Sequence, residues 1–427
     1  MPPKIDSGDT AFVLGCTALV LLMSPGLAFF YGGLVRRKSV LNTMMMTFAS
    51  MAVVGVLWIL VGYSLAFSPG NAVVGGLSWV GLSGVGAEPN PDYAATVPHA
   101  SFMLFQAMFA IITPALISGA IVERMKFSTY LVFIALWSLF VYAPVAHWVW
   151  SPEGFLHKLG ALDFAGGTVV HINAGIAALV AAKVLGPRKG HGKQPMPPHN
   201  VPFALLGAGL LWFGWLGFNG GSALGANAAA VVAFVATFAA AASAGLVWAL
   251  LDVRAHGKVT GVGLASGIVA GLVGITPASG YVGPLAALTI GALSSLVAFA
   301  SVRLLPKRLG VDDSLDVFGV HGMAGLFGSV VTGVFASLAV NPAGADGFLY
   351  GTANAKLVGV QLVASFVPLL WSGAFTFGVL KLLGATMGLR VDAHAEAEGL
   401  DLAENNEAAY GDGIPSGKVI PSSQLTS

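Results

Sequence analysis

Long apolar runs follow one another along this chain, separated by short polar breaks. Eleven of them are long enough to cross a bilayer: roughly 11–33, 42–67, 99–121, 128–149, 164–185, 201–219, 225–251, 259–276, 281–304, 317–340 and 354–388. A helical span needs about 20 residues, and the run 259–276 is the shortest of the set. All eleven are expected to be helices, because only helices and closed barrels satisfy their backbone polar groups in lipid. The strict apolar–polar alternation of a barrel strand is absent. The pattern predicts an all-α polytopic membrane protein with eleven transmembrane helices.

Composition agrees and narrows the function. Of 427 residues, 56% are apolar and only 9% charged, against about 25% charged in soluble domains. The 57 glycines suit close helix–helix contact in lipid. Net charge is +1 with no basic cluster, which argues against nucleic-acid binding. The single cysteine, Cys16, excludes a disulfide scaffold. No metal-ligand or nucleophile–base motif stands out, so neither an enzyme nor a cofactor is expected.

Lysine and arginine fix the expected orientation. With an outside N-terminus, one set of loops together with the C-terminal tail holds 17 of the 20 basic residues, and only Lys4, Lys158 and Lys356 fall on the other side. The positive-inside rule then puts the N-terminus outside and the C-terminus in the cytoplasm. The 68–98 loop carries Glu88 and Asp92 but no basic residue, so it is expected outside. The first apolar run follows MPPKIDSGDT, which lacks a basic stretch, and it reads as a retained span rather than a signal peptide. From about residue 389 the chain turns polar and acidic, with Asp392, Glu396, Glu398, Asp401, Glu404, Glu407 and Asp412. Residues 1–388 thus form a membrane domain and 389–427 a cytoplasmic tail. Composition alone favours a disordered tail.

A repeat lies inside the membrane domain. Asp163 precedes His171 by eight residues, and Asp313 precedes His321 by eight. Each histidine opens an H-x-x-A-G run, in spans five and ten, and spans one and six both end in F-x-G-G. Five is odd, so the second copy (spans 6–10) enters from the opposite side to the first (spans 1–5), an inverted repeat of the kind found in transporters. The eleventh helix stands outside the repeat. At a rise of about 1.5 Å per residue each histidine sits about 12 Å from its own face. In a core about 30 Å thick the pair should meet near the midplane. One histidine in an apolar helix is commonly structural. Two at matched depth in an inverted repeat point to a pathway, since ionisable groups in lipid are costly. Two neutral imidazoles suit a small uncharged base or a proton relay, whereas a bare alkali ion wants carbonyl and carboxylate oxygens.

Several runs resemble the ammonium transporter (Amt/Mep/Rh) family, its bacterial Amt branch above all. They are FYGGL at 30–34, ERMKFS at 123–128, ALDFAGGTVVHINAG at 161–175, LLWFGWLGFNGGSALGAN at 210–227, GLVGITPASGYV at 271–282 and DDSLDVFGVHGMAG at 312–325. The resemblance implies a homotrimer in the plasma (cell inner) membrane, with one apolar pore per subunit. It implies an external ammonium site at Phe109, Trp150 and Ser222, a phenylalanine gate of Phe109 and Phe218, and a pore lined by the twin histidines His171 and His321. Asp163 would support the outer site and cap span five. Trp215 and Thr276 are further pore or vestibule candidates in an electrostatic or structural supporting role, whereas Glu123 and Asp316 read as structural residues at helix ends. The tail runs Gly388–Val391, Gly399–Asp401 and Glu404–Gly411 resemble the family's regulatory C-terminus, with Asn405-Asn406 where a His-Gly pair is common. That implies an ordered tail and a PII-type signalling protein as partner.

The expected function is ammonium uptake, with methylammonium as analogue. Ammonium is recruited outside and deprotonated, and NH₃ crosses the pore. Whether the proton follows by a separate path stays open at this stage, as does the point of deprotonation. One rival is an ammonium sensor that reports through its tail, although the 38 residues from Arg390 to Ser427 are few for a signalling domain. Another is an ion-coupled carrier of a larger solute, which would want a midplane acid that the spans lack. Arg36, Arg37, Lys38, Arg188 and Lys189 are expected to dock tail carboxylates such as Asp401 and Glu404.

Overall fold

The computed structural model describes residues 4–351 and 355–411. Asp412 and Lys418, counted above in the tail, lie outside the described residues. Eleven helices cross the fold: α1 Ser7–Leu34, α2 Arg37–Phe67, α3 His99–Ile121, α4 127–150, α5 Gly167–Leu185, α6 Val201–Gly221, α7 Ala228–His256, α8 Gly261–Ile275, α9 Pro284–Leu309, α10 Phe318–Phe335 and α11 Ala355–Thr386. Ten are long and apolar enough to span a membrane, and α8, at 15 residues, is the shorter one. Two short helices follow in the tail, α12 Ala393–Glu398 and α13 Leu400–Asn405. No β-strand occurs among the described residues.

Local chemistry sets the ends. Asp6, Asn200, Asn227 and Thr260 each accept a backbone N–H three residues on and so start α1, α6, α7 and α8. Pro284 opens α9 at its first position. The sequence overran at span ten: the helix stops at Phe335, and 336–340 belong to a loop. There Leu338 N–H bonds Asp346 and Ser337 N–H bonds the Tyr281 carbonyl, so backbone bonds hold this largely apolar stretch as a loop.

The helices surround a buried interior and turn apolar side chains outward. Leu285 (80% exposed), Leu370 (68%) and Val231 (65%) belong to this outer belt, which suits lipid rather than water. The first and sixth helices lie in close contact, since a Cβ on Gly33 would fall 2.4 Å from the Ala204 nitrogen. Asp6 N–H bonds the Thr96 carbonyl, so the N-terminus and the 68–98 loop share one face, here the loop face. The tail packs on the other, the tail face.

A buried ion cluster organises the tail face. Glu123, in left-handed backbone at φ 68°, receives Arg36 at 2.5 Å and Arg188 at 3.6 Å. Arg188 also forks onto Asp312, at 2.9 Å to each carboxylate oxygen. Burial pushes the Asp312 carboxyl up, but Arg188 and Arg124 outweigh it and hold it at about 2.

The tail through residue 411 is ordered, against the expectation from its composition, and it is not held in the way its charge suggested. Asp401 accepts the Asn42 N–H (2.8 Å) at the start of α2, Glu404 accepts the Phe127 N–H (2.8 Å) at the start of α4, and Glu396 accepts the Lys189 N–H (2.5 Å). Arg36 and Arg188 are taken by Glu123 and Asp312, Lys38 bonds the carbonyls of Glu396 and Ala397, and Arg37 lies over the Tyr410 ring at 5.0 Å. Asp401 and Glu404 thus dock on backbone rather than on the basic loop side chains, and Glu396 also pairs with Arg390 within the tail at 2.7 Å. The reason is that helix-start N–H groups are fixed, unpaired and at the positive end of the dipole, whereas exposed lysines must give up rotamer entropy to pair.

Candidate functional site

Spans five and ten begin alike. Each opens with a π-helical turn, Gly167–Ile172 in α5 and Phe318–Met323 in α10, a rare geometry concentrated at functional places. Asp163 holds the first turn by accepting the N–H groups of Gly166, Gly167, Thr168 and Val169 at 2.6–3.1 Å. Asp313 holds the second by accepting those of Val317 and Phe318 at 3.1 and 2.7 Å. The shared offsets of four and five residues make the inverted repeat a structural fact.

Where the two helices cross, the glycines of the H-x-x-A-G runs let backbones touch. A Cβ on Gly175 would fall 2.3 Å from Gly322 Cα, and one on Gly325 would fall 2.9 Å from His171 Cβ. The crossing presses the histidines together. Their Nδ1 atoms are 3.3 Å apart and their rings 5.3 Å, inclined 24°. Such a contact works only if one Nδ1 carries a proton and the other does not. His171 Nε2 is buried with no protein partner.

Above the histidines the conduit is shut. Phe109 and Phe218 stack at 4.2 Å and 27°, both 1% exposed. Trp150 stands edge-on to Phe109 at 5.7 Å and 89°, with its indole N–H on the Asp163 carbonyl at 2.9 Å. Beyond these rings a vestibule of about 730 Å³ opens on the loop face, and Trp150, Asp163 and Ser222 are among its walls. The Ser222 hydroxyl donates to the Phe218 carbonyl at 2.9 Å, which leaves its oxygen lone pairs for a donor in the vestibule.

Below the rings the conduit leaves about 10 Å³, space for one water-sized molecule. Its lining is apolar apart from His171, His321 and the edge of Trp215. Trp215 stacks on His171 at 5.3 Å and 20° and donates its indole N–H to Thr276 Oγ1 at 2.8 Å. Thr276 itself donates to the Leu272 carbonyl at 2.7 Å and lines neither conduit nor vestibule. It stands behind Trp215 as its anchor. On the tail face a smaller vestibule of about 150 Å³ receives the conduit at His321. Asp316 lies in that wall.

The sequence missed the apolar lining, notably Leu27, Phe30, Ile112, Leu116 and Val269. In helices that are apolar all round nothing marks which face meets a pore.

Fold and site together define a multi-pass membrane protein with a ring-closed, apolar conduit between two vestibules, the architecture of a transporter or channel. The sequence profile of the Ammonium Transporter Family matches residues 11–410. The chain is 49% identical to the ammonium transporter of Bacillus subtilis, over 95% of this chain and 99% of that one, and 49% identical to the ammonium transporter of Aquifex aeolicus, over 95% and 94%. Among solved structures, Candida albicans Mep2 superposes with a TM-score of 0.87 at 34% identity, covering 97% of this chain and 92% of that one. A structure titled Sensor Amt Protein superposes at 0.85 and 29% identity, covering 93% and 98%. The chain belongs to the ammonium transporter family. Membership places it among transporters rather than enzymes.

Proposed function

We propose that this protein carries ammonium across the membrane by recruiting NH₄⁺ in the wide vestibule and passing NH₃ through the histidine-lined conduit. The observation that carries this reading is the conduit: stacked phenylalanines above a neutral histidine pair, with room for one small molecule. A hydrated ion does not fit, and stripping an ion of water costs several kcal/mol. A neutral NH₃ avoids that cost.

Recruitment rests on Phe109, Trp150 and Ser222. Ammonium has the size of K⁺, so selection needs direction as well as charge. Aromatic faces attract a cation by about 0.5–2 kcal/mol. The Ser222 oxygen accepts an N–H that a spherical ion lacks. Phe109 and Phe218 are the gate, and their rings move aside for a solute. Asp163 supports the site from beneath by fixing the turn that carries His171 and the carbonyl that holds Trp150. Its four N–H partners leave little of its carboxylate to ligate ammonium.

We further infer that the protein sits in the plasma (cell inner) membrane, with the loop face and N-terminus outside and the tail in the cytoplasm, as the basic-residue bias supports. The family resemblance supports a homotrimer. The domain division follows the docking: 1–388 conduct, and 389–427 regulate, with a PII-type protein as partner at the tail face. A sensor that binds ammonium and reports through the tail is the second reading, favoured by the likeness to the structure titled Sensor Amt Protein.

Uptake of labelled methylammonium into proteoliposomes separates the two readings. Saturable uptake that ammonium competes away is the expected result, and uptake no faster than in empty liposomes overturns the transport reading. A current recorded on an ammonium pulse decides between electrogenic and electroneutral carriage. For the tail, deleting residues 390–427 is expected to change the transport rate at least about twofold, because it removes two helix-start caps, Asp401 and Glu404, worth about 1 kcal/mol each. A truncated protein with the parent's rate, and still inhibited by a PII-type protein, would make the tail a passive appendage.

A further inference from the structure

The eleventh helix stands outside the repeat, yet its apolar run carries Gln361, Ser365, Ser372 and Thr376. Offsets of four, seven and four residues keep these on one face of α11. All four are 0% exposed, so the face is turned inward. Ser372 donates to the Asn173 carbonyl of α5 at 2.8 Å, and Thr376 accepts the Trp137 indole N–H of α4 at 3.1 Å.

Gln361 makes the largest commitment. Its Oε1 accepts the Leu162 N–H at 2.8 Å, and its Nε2 donates to the Leu162 carbonyl at 2.8 Å and to the Ser329 carbonyl of α10 at 2.9 Å. Both amide protons and the amide oxygen are thereby used. One side chain thus serves both backbone groups of Leu162. A Cβ on Gly333 would fall 3.2 Å from Gln361 Cγ, so a glycine of α10 makes room for the amide.

Leu162 needs such a partner for a local reason. Residues 161–166 form neither helix nor strand, yet Leu162 and Asp163 are buried. Irregular backbone in such a place must find its partners in other elements. Leu162 immediately precedes Asp163, whose carboxylate caps the turn bearing His171 and whose carbonyl holds the Trp150 indole. The second repeat treats the equivalent position alike: the carbonyl of Asp312, immediately before Asp313, accepts Arg124 Nη2 at 2.7 Å. In both repeats a side chain from outside the turn grips the residue before the capping aspartate.

Resting on the ammonium-transport reading above, we propose that Gln361 is a positioning residue of the external site: by holding the Leu162 backbone it sets the Asp163 carbonyl, and through it Trp150, in the vestibule wall. Gln361 itself lines neither the conduit nor either vestibule, so it acts only through these neighbours. The eleventh helix then serves the solute site as well as the lipid boundary.

The test uses right-side-out membrane vesicles containing the full-length protein, with labelled methylammonium outside and uptake measured over a pH series. Gln361→Leu is expected to raise the half-saturating concentration at least about fivefold while the maximal rate changes less, since small displacements of a solute-holding group carry effects of that order. Gln361→Glu tests the bonding directly. Protonated, its carboxyl has one O–H to donate and one oxygen for the Leu162 N–H; ionised, it donates nothing and faces two carbonyls. Its half-saturating concentration, relative to the parent at the same pH, should approach the parent's at the acid end of the series and depart from it at the alkaline end. Thr376→Val removes a buried polar contact on the same face of α11, and is expected to lower the melting temperature without moving half-saturation. A leucine variant with the parent's half-saturation overturns the proposal, and where leucine prevents folding the glutamate variant decides. A shift no larger than that of Thr376→Val, or a glutamate variant whose ratio to the parent is flat with pH, overturns it as well. A parent without saturable uptake overturns the transport reading and this role with it, and the parent alone tells the two failures apart.

Discussion

Asp163→Ala is expected to abolish transport and to lower the melting temperature in detergent by at least about 5 °C. Four backbone N–H groups converge on this one carboxylate, and the residue is 7% exposed. Each buried donor left without a partner costs about 1–3 kcal/mol, and whole domains are stable by only about 5–15 kcal/mol. Water entering the gap from the vestibule recovers part of that loss, which is why a folded but weakened protein is expected. The π-helical turn it caps carries His171, and its carbonyl holds the Trp150 indole, so gate and pore should lose their geometry together. Asp163→Asn retains one acceptor oxygen and is expected to fold with uptake below about a tenth of the parent's, because charged hydrogen bonds are about twice as strong as neutral ones. Thermal unfolding and methylammonium uptake on the same preparation check both numbers. An alanine variant with the parent's melting temperature and uptake would remove Asp163 from the design.

Replacing either pore histidine by aspartate should open the conduit to K⁺. The two Nδ1 atoms sit 3.3 Å apart in an apolar passage, and a neutral imidazole pair offers a bare cation no compensating charge. A carboxylate at His171 or His321 supplies that charge close to the path. Coulomb attraction at about 4 Å reaches about 4 kcal/mol for partly screened pairs, enough to offset much of an ion's desolvation. The expected result is a rise of at least tenfold in K⁺ flux under a K⁺ gradient, with ammonium no longer strongly preferred. Variants that still exclude K⁺ while ammonium transport is unchanged would mean that the histidines do not line the path.

The fold was largely legible in the sequence because lipid imposes a strong, one-dimensional constraint. A long apolar run has to become a helix, and all eleven runs did, including the short one at Gly261–Ile275. The ends read less well. Residues 336–340 are largely apolar yet leave the membrane helix, because hydropathy cannot distinguish an apolar loop from a span. The histidine pair was legible for a different reason. His171 and His321 share spacing, neighbours and an opposite chain direction, and inverted symmetry brings equivalent positions together.

What composition misjudged was pairing. The acidic tail looked disordered, with basic loops as its nearest counterpart. In the structure Asp401 and Glu404 rest on the N–H groups of Asn42 and Phe127, and those donors have no signature in a side-chain alphabet. The supporting role of Thr276 likewise becomes specific only when the Trp215 indole is seen to claim its hydroxyl.

The sequence by itself determined the all-helical spanning architecture, the two-fold repeat and the chemical identity of the residues at its axis. Tertiary structure decided which apolar face becomes a conduit, how wide it is, and which polar groups remain free. The physical reason is that hydropathy and spacing are properties of a single segment. A pore, a stacked pair of rings or an unpartnered nitrogen such as His171 Nε2 exists only between segments, where packing settles which groups satisfy one another and which are left over.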